Sequence, residues 1–298
     1  MTRTYSPPLA LAAVLAIASP CQAFQLAVSQ YGRVTATLPW AVAIEKGYFD
    51  AAGVKIDQVI SGAGGGTTLR NVLASDLPYG EVASSAAIAA RRSGLDVVIV
   101  NTSSSHIGEI ALVADPKSDV RTVADLAGKK AGYTAPKSTS DVLLHLALKE
   151  AQLSGKVEAV ATGGFGPGIT ALMTGAIQAA PLIDPQLTLE PDKFRVIFKF
   201  ADLIPRMTWL VCITTREFAA KNPELLHKLI AVRRRAVDYI YQNRDDAMQI
   251  YAKVWQQDPK QVATYFPKYF GYDGEWTHGE FDKSGLAKMS QGLELVGD

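Results

Sequence analysis

The stretch Leu38-Pro-Trp-Ala-Val-Ala-Ile-Glu-Lys-Gly-Tyr-Phe-Asp-Ala-Ala-Gly-Val-Lys-Ile-Asp57 decides the fold class of this chain of 298 residues. Pro39 suits the first turn of a helix, and Thr37 just before it is a residue type that caps helices. Gly53 is the kind of residue that ends a helix, and Val54–Ile60 has the composition of a strand. We therefore predict a helix from Thr37 to Gly53 followed by a strand, which is the repeating unit of an α/β protein.

Runs of β-forming residues recur along the chain and predict ten strands in all. The predicted strands are Phe24–Ser29, Val54–Ile60, Gly80–Val82, Val97–Thr102, Ile110–Ala114, Lys130–Tyr133, Val157–Ala161, Ala179–Ile183, Val196–Phe200 and Trp209–Thr214. Helical patterns separate many of them, and this alternation predicts mostly parallel sheets flanked by helices. From Arg216 onward we predict an almost entirely helical segment, including one long helix from Asn222-Pro223 to about Gln242.

The first residues have the composition of a secretory signal peptide. Arg3 is followed by an apolar run, Leu9–Ala18, and then by small residues. The run is shorter than the roughly 20 residues that a membrane span needs. We predict cleavage after Ala23, so that residues 1–23 are removed and the mature protein is periplasmic. Whether Cys21 carries a lipid instead stays open.

Charge and motif content narrow the class of function. The chain has 30 Lys and Arg against 29 Asp and Glu, a balance that argues against a nucleic-acid partner recruited by bulk charge. The basic run Arg233-Arg234-Arg235 is predicted to be a solvated helix face. The four histidines lack metal-ligand spacing, and neither a Walker loop nor a Gly-x-Ser-x-Gly elbow occurs. We therefore predict no catalytic residue, metal or cofactor, and expect binding rather than catalysis.

Two polar or proline-containing segments are predicted to cross between two lobes. The first is Asn101–His106, and the second is Ala201–Thr208. If both are hinges, residues 107–204 form lobe two, and residues 24–106 and 205–298 form lobe one. Two adjacent crossings would let the lobes close around a ligand.

Several predicted strand-to-helix turns are rich in glycine, serine and threonine. In such sheets these turns lie at the carboxyl ends of the strands, where ligands bind. Helix starts there offer free N–H groups and the positive end of the helix dipole, so they attract anions. Aromatic rings such as Trp40 and Trp209 could enclose the apolar body of a ligand. For any single turn, helix capping alone is an equally simple interpretation.

Three segments carry a resemblance to a known family. Ala41–Val54 is similar to the "eKGyFeeaGl" segment of solute-binding proteins of ABC transporters, in the nitrate, sulfonate, taurine and thiamine-pyrimidine-precursor family. Val120–Gly132 and Met173–Ala180 resemble two further segments of that family. The resemblance implies a two-lobed type II periplasmic binding protein that captures a small solute between its lobes. Its partners would be the permease and ATPase subunits at the inner membrane, and we expect a monomer.

The resemblance also implies which turns contact the ligand, and we add His106 because it lies at the first predicted crossing. The predicted ligand-binding residues are Thr37, Trp40, Gly64, Gly65, Gly66, Thr67, Ser84, Ser85, His106, Ser138, Thr139, Asp184, Arg206 and Trp209. We expect hydroxyls and N–H groups at Ser84, Ser85, Ser138 and Thr139 to hold an acidic head group. Arg206 would neutralise it.

The ligand class is predicted to be a small organic anion, a sulfonate or a carboxylate, with an apolar or aromatic body. Glu81 stands where many relatives carry a small or apolar residue, and in the cleft it would favour a neutral pyrimidine-like ligand or an amine. An exported enzyme on the same fold and a ligand-sensing subunit that docks a membrane receptor also stay open. A pyrimidine synthase of the same fold family is disfavoured because its cysteine-rich motif does not occur here.

Overall fold

A computed structural model describes residues 23–62 and 64–298, so the predicted signal segment lies outside the described residues except for Ala23. All ten predicted strands are present, with bounds within two residues of those expected. They are β1 (Ala23–Val28), β2 (Lys55–Ile60), β3 (Tyr79–Ala83), β4 (Val98–Ser104), β5 (Ile110–Ala114), β6 (Lys130–Tyr133), β7 (Glu158–Ala161), β8 (Ala180–Ile183), β9 (Arg195–Lys199) and β10 (Leu210–Thr214).

The described residues also form thirteen α-helices, and the segment after Arg216 is largely helical, as predicted. The helices are α1 (Leu38–Glu45), α2 (Tyr48–Ala51), α3 (Gly65–Ala74), α4 (Ser84–Arg92), α5 (Thr139–Glu150), α6 (Phe165–Met173), α7 (Gln186–Leu189), α8 (Phe200–Leu203), α9 (Arg216–Lys221), α10 (Pro223–Gln242), α11 (Arg244–Val254), α12 (Pro259–Tyr265) and α13 (Lys283–Leu295). None of these helices combines the length and apolar character that crossing a bilayer would require.

The first sheet has the strand order β2-β1-β3-β10-β4. β1 runs parallel to both β2 and β3, whereas β10 runs antiparallel to β3 and to β4. Four of the five strands therefore point in one direction, and only β10 is reversed.

The remaining strands repeat this arrangement in a second layer. β8-β5-β9 form one ladder and β6-β7 another, and a parallel bridge between Ala131 and Ala179 joins the two, giving the order β7-β6-β8-β5-β9. β5 runs antiparallel to β8 and β9, while β6 and β7 are parallel. Here only β5 is reversed. The predicted fold class, two mostly parallel sheets flanked by helices, is confirmed.

The reversed strands follow from the path of the chain between the sheets. The chain leaves β4 of the first sheet and enters the second through β5, and it returns from β9 through β10. A chain that crosses at the carboxyl edges of one sheet enters the other at its facing edge. Its first strand must then run away from that edge, opposite to the neighbouring strands. The lobe boundaries at residues 107 and 205 stay predictions.

The last helix joins structures that the predicted division keeps apart. α13 packs on α4, which follows β3 of the first sheet, and on α5, which follows β6 of the second. Met289 and Leu293 of α13 are fully buried in the same apolar cluster as Val142 of α5. A Cβ on Gly292 would lie within 2.3 Å of a Val142 methyl group, so only glycine allows this approach. The segment 205–298 therefore contacts helices of both predicted lobes through α13.

The first helix is shorter than predicted. It ends at Glu45, and α2 begins a new turn at Tyr48, so the prediction of one helix to Gly53 is wrong. Gly47 between them has φ of 64°, a left-handed conformation that breaks the helix and that glycine adopts without strain. Trp40 in α1 is fully buried and packs against Phe49 and Tyr79, which anchors this break to the first sheet.

The polar run 101–106 is a strand for most of its length rather than a crossing. Asn101 to Ser104 belong to β4, and the crossing begins only after them. The polar side chains are explained by a loop that covers this strand. Thr277 donates its hydroxyl to the Thr102 carbonyl at 2.6 Å, and the Asp282 N–H donates to the Thr102 hydroxyl at 3.1 Å.

A buried ion pair holds α10 against the first sheet. Glu81 in β3 and Arg233 in α10 are 0% and 1% exposed, and Arg233 Nε lies 3.4 Å from Glu81 Oε2. The prediction of a solvated face for residues 233–235 is therefore wrong for Arg233, although its two neighbours are exposed. Burial raises the pKa of Glu81, and the Arg233 charge opposes that effect. The pair explains how a fully buried charged residue is accommodated in the middle of the first sheet.

Two buried glutamates lie where the chain crosses between the sheets. Glu109, just before β5, accepts hydrogen bonds from the backbone N–H groups of Thr35 and Ala36, both at 3.0 Å. Its carboxyl group interacts with that of Glu275, which is also fully buried. Burial is the main cause that raises the pKa of Glu109 to about 7. Burial and the Glu109 charge raise the pKa of Glu275. The two carboxyl groups are best accommodated with a shared proton.

Other ionisable groups surround this carboxyl pair. Asp184 adds a further negative charge, and Lys268, whose Nζ lies 2.7 Å from Asp184 Oδ2, partly offsets it. The Tyr251, Tyr269 and Tyr272 rings also lie in this region, and the nearby carboxylates contribute to raising the pKa of each phenol. The crossing is therefore an acidic, dehydrated environment in which negative charge is costly.

Replacing Arg233 with methionine should lower the free energy of unfolding by about 3–5 kcal/mol, because Glu81 would remain buried without its partner. Denaturant unfolding of Arg233→Met measures this, with Arg234→Met as the control for loss of an exposed arginine. The double variant Glu81→Gln, Arg233→Met should recover much of the loss. A cost for Arg233→Met no larger than that for Arg234→Met would contradict the assigned role of the pair.

Replacing Glu275 with glutamine should reduce the decrease in the free energy of unfolding that accompanies rising pH. The folded protein keeps protons on the raised-pKa carboxyls that the unfolded chain releases above pH 4.5, so its free energy of unfolding decreases as pH rises toward 7. Unfolding of Glu275→Gln measured between pH 5 and 8 should show a smaller decrease than that of the unmodified protein. Glu280→Gln, at an exposed site, is the control. Parallel pH profiles for all three proteins would refute the buried carboxyl pair.

Candidate functional site

A cavity of about 660 Å³ lies between the two sheets and is lined by residues from both. This volume is within the usual range for small-molecule sites. The first sheet contributes Ser29 after β1 and the glycine-rich turn after β2. The second contributes Thr134 after β6 and Gly163 after β7. The carboxyl ends of both sets of strands therefore open on one space.

Four helices begin at this cavity. α3 and α4 start on the side of the first sheet, and α5 and α6 on the side of the second. The N-cap positions of α3, α4 and α6 are Gly64, Ala83 and Gly164, and no side chain among residues 23–62 and 64–298 caps any of these three helices. Their positive dipole ends point toward the cavity without a resident side-chain acceptor.

The start of α3 is shaped by close packing. A Cβ on Gly65 would lie 2.8 Å from the Ala83 Cβ and 3.0 Å from the Ala86 Cβ. Only glycine lets the first turn of α3 approach α4 this closely. This contact brings two uncapped helix starts together on one wall of the cavity.

Hydroxyl groups cover the start of α5. Ser138 caps this helix by accepting from the Asp141 N–H at 3.3 Å. Thr134 and Ser140 hydrogen-bond each other and Ser138 at 2.8–3.0 Å. Across the cavity, the Thr139 hydroxyl lies 3.4 Å from that of Ser85 at the start of α4. The two sides of the cavity therefore meet through a pair of rotatable donors.

Three charged side chains line the cavity, and sequence reasoning identified none of them. Arg70 is exposed, and its guanidinium donates to the Thr67 hydroxyl at 3.1 Å. Lys137 Nζ lies 2.7 Å from Asp298 Oδ1. Over the described residues Arg70 has no carboxylate partner within ion-pair distance, whereas Lys137 does. Arg70 lies about one turn into a helix that starts with glycines, and this position could have identified it from the sequence as a cavity residue. The sequence around Asp298 contains no comparable signal.

Eight of the fourteen predicted site residues line the cavity. They are Gly64, Gly65, Gly66, Thr67, Ser85, Ser138, Thr139 and Trp209. Trp209 is 5% exposed and reaches the cavity together with Phe165, so two rings are available for an apolar ligand body.

Two predicted residues are committed to contacts elsewhere. Trp40 is fully buried in the core of the first sheet. Arg206 pairs with Asp273 at 2.8 Å and with Asp282 at 3.0 Å, so the structure assigns it to the C-terminal loop and not to the cavity. These contacts account for the aromatic and basic side chains at Trp40 and Arg206 without a ligand.

The other four also lie outside the cavity lining. The Thr37 hydroxyl donates to the Val34 carbonyl at 2.9 Å, and that of Ser84 to the Thr208 carbonyl at 2.6 Å. His106 stacks on Tyr272, and burial lowers its pKa. Asp184 pairs with Lys268 at 2.7 Å. Glu81 is likewise outside the cavity, in the buried pair with Arg233.

The described residues offer little for metal or thiol chemistry. Over residues 23–62 and 64–298, no group of three or more histidine, cysteine or acidic side chains has the geometry of a metal site. Cys212 is fully buried in β10, and burial raises the pKa of its thiol to about 12. A thiol so placed stays protonated and does not reach the cavity.

Comparisons with known proteins agree with this architecture. A sequence model of the family described as NMT1/THI5 like matches residues 35–247. A Brucella abortus protein named as a binding protein is 27% identical over 231 residues, which cover 75% of this chain and 69% of that protein.

Solved structures show the same fold at low identity. The alkanesulfonate-binding protein SsuA from Xanthomonas axonopodis, bound to MOPS, superposes with a TM-score of 0.74 at 17% identity, covering 93% of this chain and 94% of the other. The desulfurization enzyme DszB superposes with a TM-score of 0.61 at 15% identity, covering 92% and 91%. The family match spans well over half of the sequence, and we conclude that this chain belongs to the NMT1/THI5-like family and has the periplasmic binding protein fold.

Proposed function

We propose that this protein is the extracytoplasmic solute-binding component of an ABC importer, and that it binds a small organic anion, a sulfonate or a carboxylate, in the cavity between its sheets. The single observation that carries the proposal is the convergence of four helix starts on one cavity, three of them without a side-chain cap. Unsatisfied N–H groups at such ends form a ready site for an oxyanion.

The charges of the cavity support an anion over a neutral or basic ligand. Arg70 is the cavity cation without an ion-pair partner among the described residues, and the Ser85 and Thr139 hydroxyls add donors nearby. A few charge-assisted hydrogen bonds with apolar burial against Trp209 and Phe165 are sufficient for micromolar affinity, about −8 kcal/mol. The alkanesulfonate-binding relative of the same fold makes sulfonates the first compounds to test.

Delivery to a permease fits the remaining features. The predicted export signal would place the mature protein in the periplasm, where a two-lobed binder hands its solute to membrane subunits. The chain is expected to act as a monomer whose closed form includes contacts from both sides of the cavity.

The alternative ligands lose their main support. An amine or a pyrimidine was favoured only if Glu81 entered the cleft, and Glu81 is instead buried against Arg233. An enzyme on this fold, as the DszB likeness suggests, would need a reactive group at the cavity; Cys212 is buried away from it. Product analysis during ligand incubation distinguishes binding from turnover.

Isothermal titration of the mature protein against a matched panel tests the proposal directly. The panel contains propane-1-sulfonate, butyrate, 1-butanol and butylamine, which share an apolar body and differ in the head group. We expect binding of one or both anions with intact ligand recovered afterwards. Binding of only the amine or the alcohol, or conversion of the sulfonate to new products, would overturn the assignment.

Replacing Arg70 with glutamine should weaken binding of the anion found in that panel by about tenfold, the effect of losing one charge-assisted hydrogen bond. Titration of Arg70→Gln measures it. Arg91→Gln is the matched control, because Arg91 is exposed on α4 and does not line the cavity. Equal affinity in the two variants would remove Arg70 from the site.

A further inference from the structure

The acidic side chain of Asp298 occupies part of the cavity wall. Asp298 follows α13 at the surface of the protein. Its carboxylate is nevertheless only 5% exposed and lies among the cavity-lining groups. Its Oδ1 is 2.7 Å from Lys137 Nζ, and its Oδ2 is 3.1 Å from Arg92 Nη1. Each oxygen of the Asp298 carboxylate is therefore paired with a cation.

The two cations come from opposite sides of the cavity. Arg92 is the last residue of α4, on the side of the first sheet, and Lys137 precedes α5, on the side of the second. Lys137 immediately precedes Ser138 and Thr139, which line the cavity at the start of α5. Asp298 thus pairs with Lys137, which lies next to the helix start where we expect an acidic head group.

The anchoring of Asp298 is independent of any ligand. Arg92 also donates to the Ser290 hydroxyl at 2.7 Å and to the Ser290 carbonyl at 3.2 Å. The Asp298 N–H donates to the Leu293 carbonyl at 3.2 Å, and Leu293 is buried against α5. The carboxylate is held in position by the packing of α13, so it acts as a fixed charge.

A count of charges shows what this fixed carboxylate does. Asp298 pairs with both Arg92 and Lys137, whereas the charge of Glu294, whose Oε1 is 3.5 Å from Arg92, is screened because that side chain is 65% exposed. Arg70 then remains as the cavity cation without a carboxylate partner among the described residues. A cavity with one uncompensated positive charge matches a ligand with one negative charge.

We propose that Asp298 is a specificity-determining residue, a built-in anion that pairs with Lys137 and Arg92 and so restricts the cavity to monoanions over dianions. This inference rests on the proposed anion-binding function and deepens it. A second acidic group on a ligand would meet the Asp298 carboxylate instead of a free cation. Removing that charge leaves Lys137, which lines the cavity, without its carboxylate partner.

The test compares two ligands of the same body, propane-1-sulfonate and 3-sulfopropionate, by titration at pH 7.5. The unmodified protein should prefer the monoanion. Asp298→Asn should shift the ratio of the two dissociation constants toward the dianion by about tenfold, the effect of one added charge-assisted hydrogen bond. Glu294→Gln removes a charge from the same helix end at a side chain that is 65% exposed. It should change the ratio by less than about twofold. An unchanged ratio in Asp298→Asn would overturn the proposal.

A second readout keeps the inference separate from the proposed function. If neither sulfonate nor butyrate binds the unmodified protein, the proposed ligand class is wrong. Thermal unfolding with inorganic sulfate and with methanesulfonate, a monoanion of similar shape, then tests Asp298 alone. Sulfate should stabilise Asp298→Asn more than the unmodified protein, with methanesulfonate showing a smaller difference. Equal stabilisation of both proteins by sulfate would refute the role of Asp298.

Discussion

The path of the chain between its two sheets is the constraint on which the rest of this structure depends. β5 and β10 are the strands by which the chain enters each sheet, and both run opposite to their neighbours. Because the other strands end at the facing edges, the helices that follow them begin there too. The cavity, its helix starts and its hydroxyl groups are consequences of that path, and the ligand proposal follows from them.

Buried polar groups outside the cavity fix the positions of the helices and sheets that surround it. The Glu81–Arg233 pair fixes α10 to the first sheet, and Glu109 ties the crossing before β5 to the backbone at Thr35 and Ala36. Such buried groups add little net stability when paired, yet they are costly when one partner is lost. We interpret them as determinants of one geometry, which leaves α13 and Asp298 to set the charge of the cavity.

Local patterns were sufficient to predict the strands and most of the cavity turns, whereas long-range pairing was not. Strand composition and glycine or serine at helix starts located residues such as Gly65 and Ser138, because those features are encoded within a few positions. Arg206, Trp40 and Arg233 were misassigned, since their partners lie far away in sequence and decide whether a charge or ring faces solvent, core or cavity. Asp298 was missed for the same reason: its cations are more than 160 positions upstream.

The most direct measurement is a crystal structure of the mature protein with a bromine-substituted alkanesulfonate, in which anomalous signal locates both bromine and sulfur. The account predicts the sulfonate between the two sheets, with oxygens within about 3 Å of backbone N–H groups at helix starts from both sides, and the bromine near Trp209 and Phe165. A sulfonate bound outside the cavity, or held by side chains of one sheet only, would contradict it.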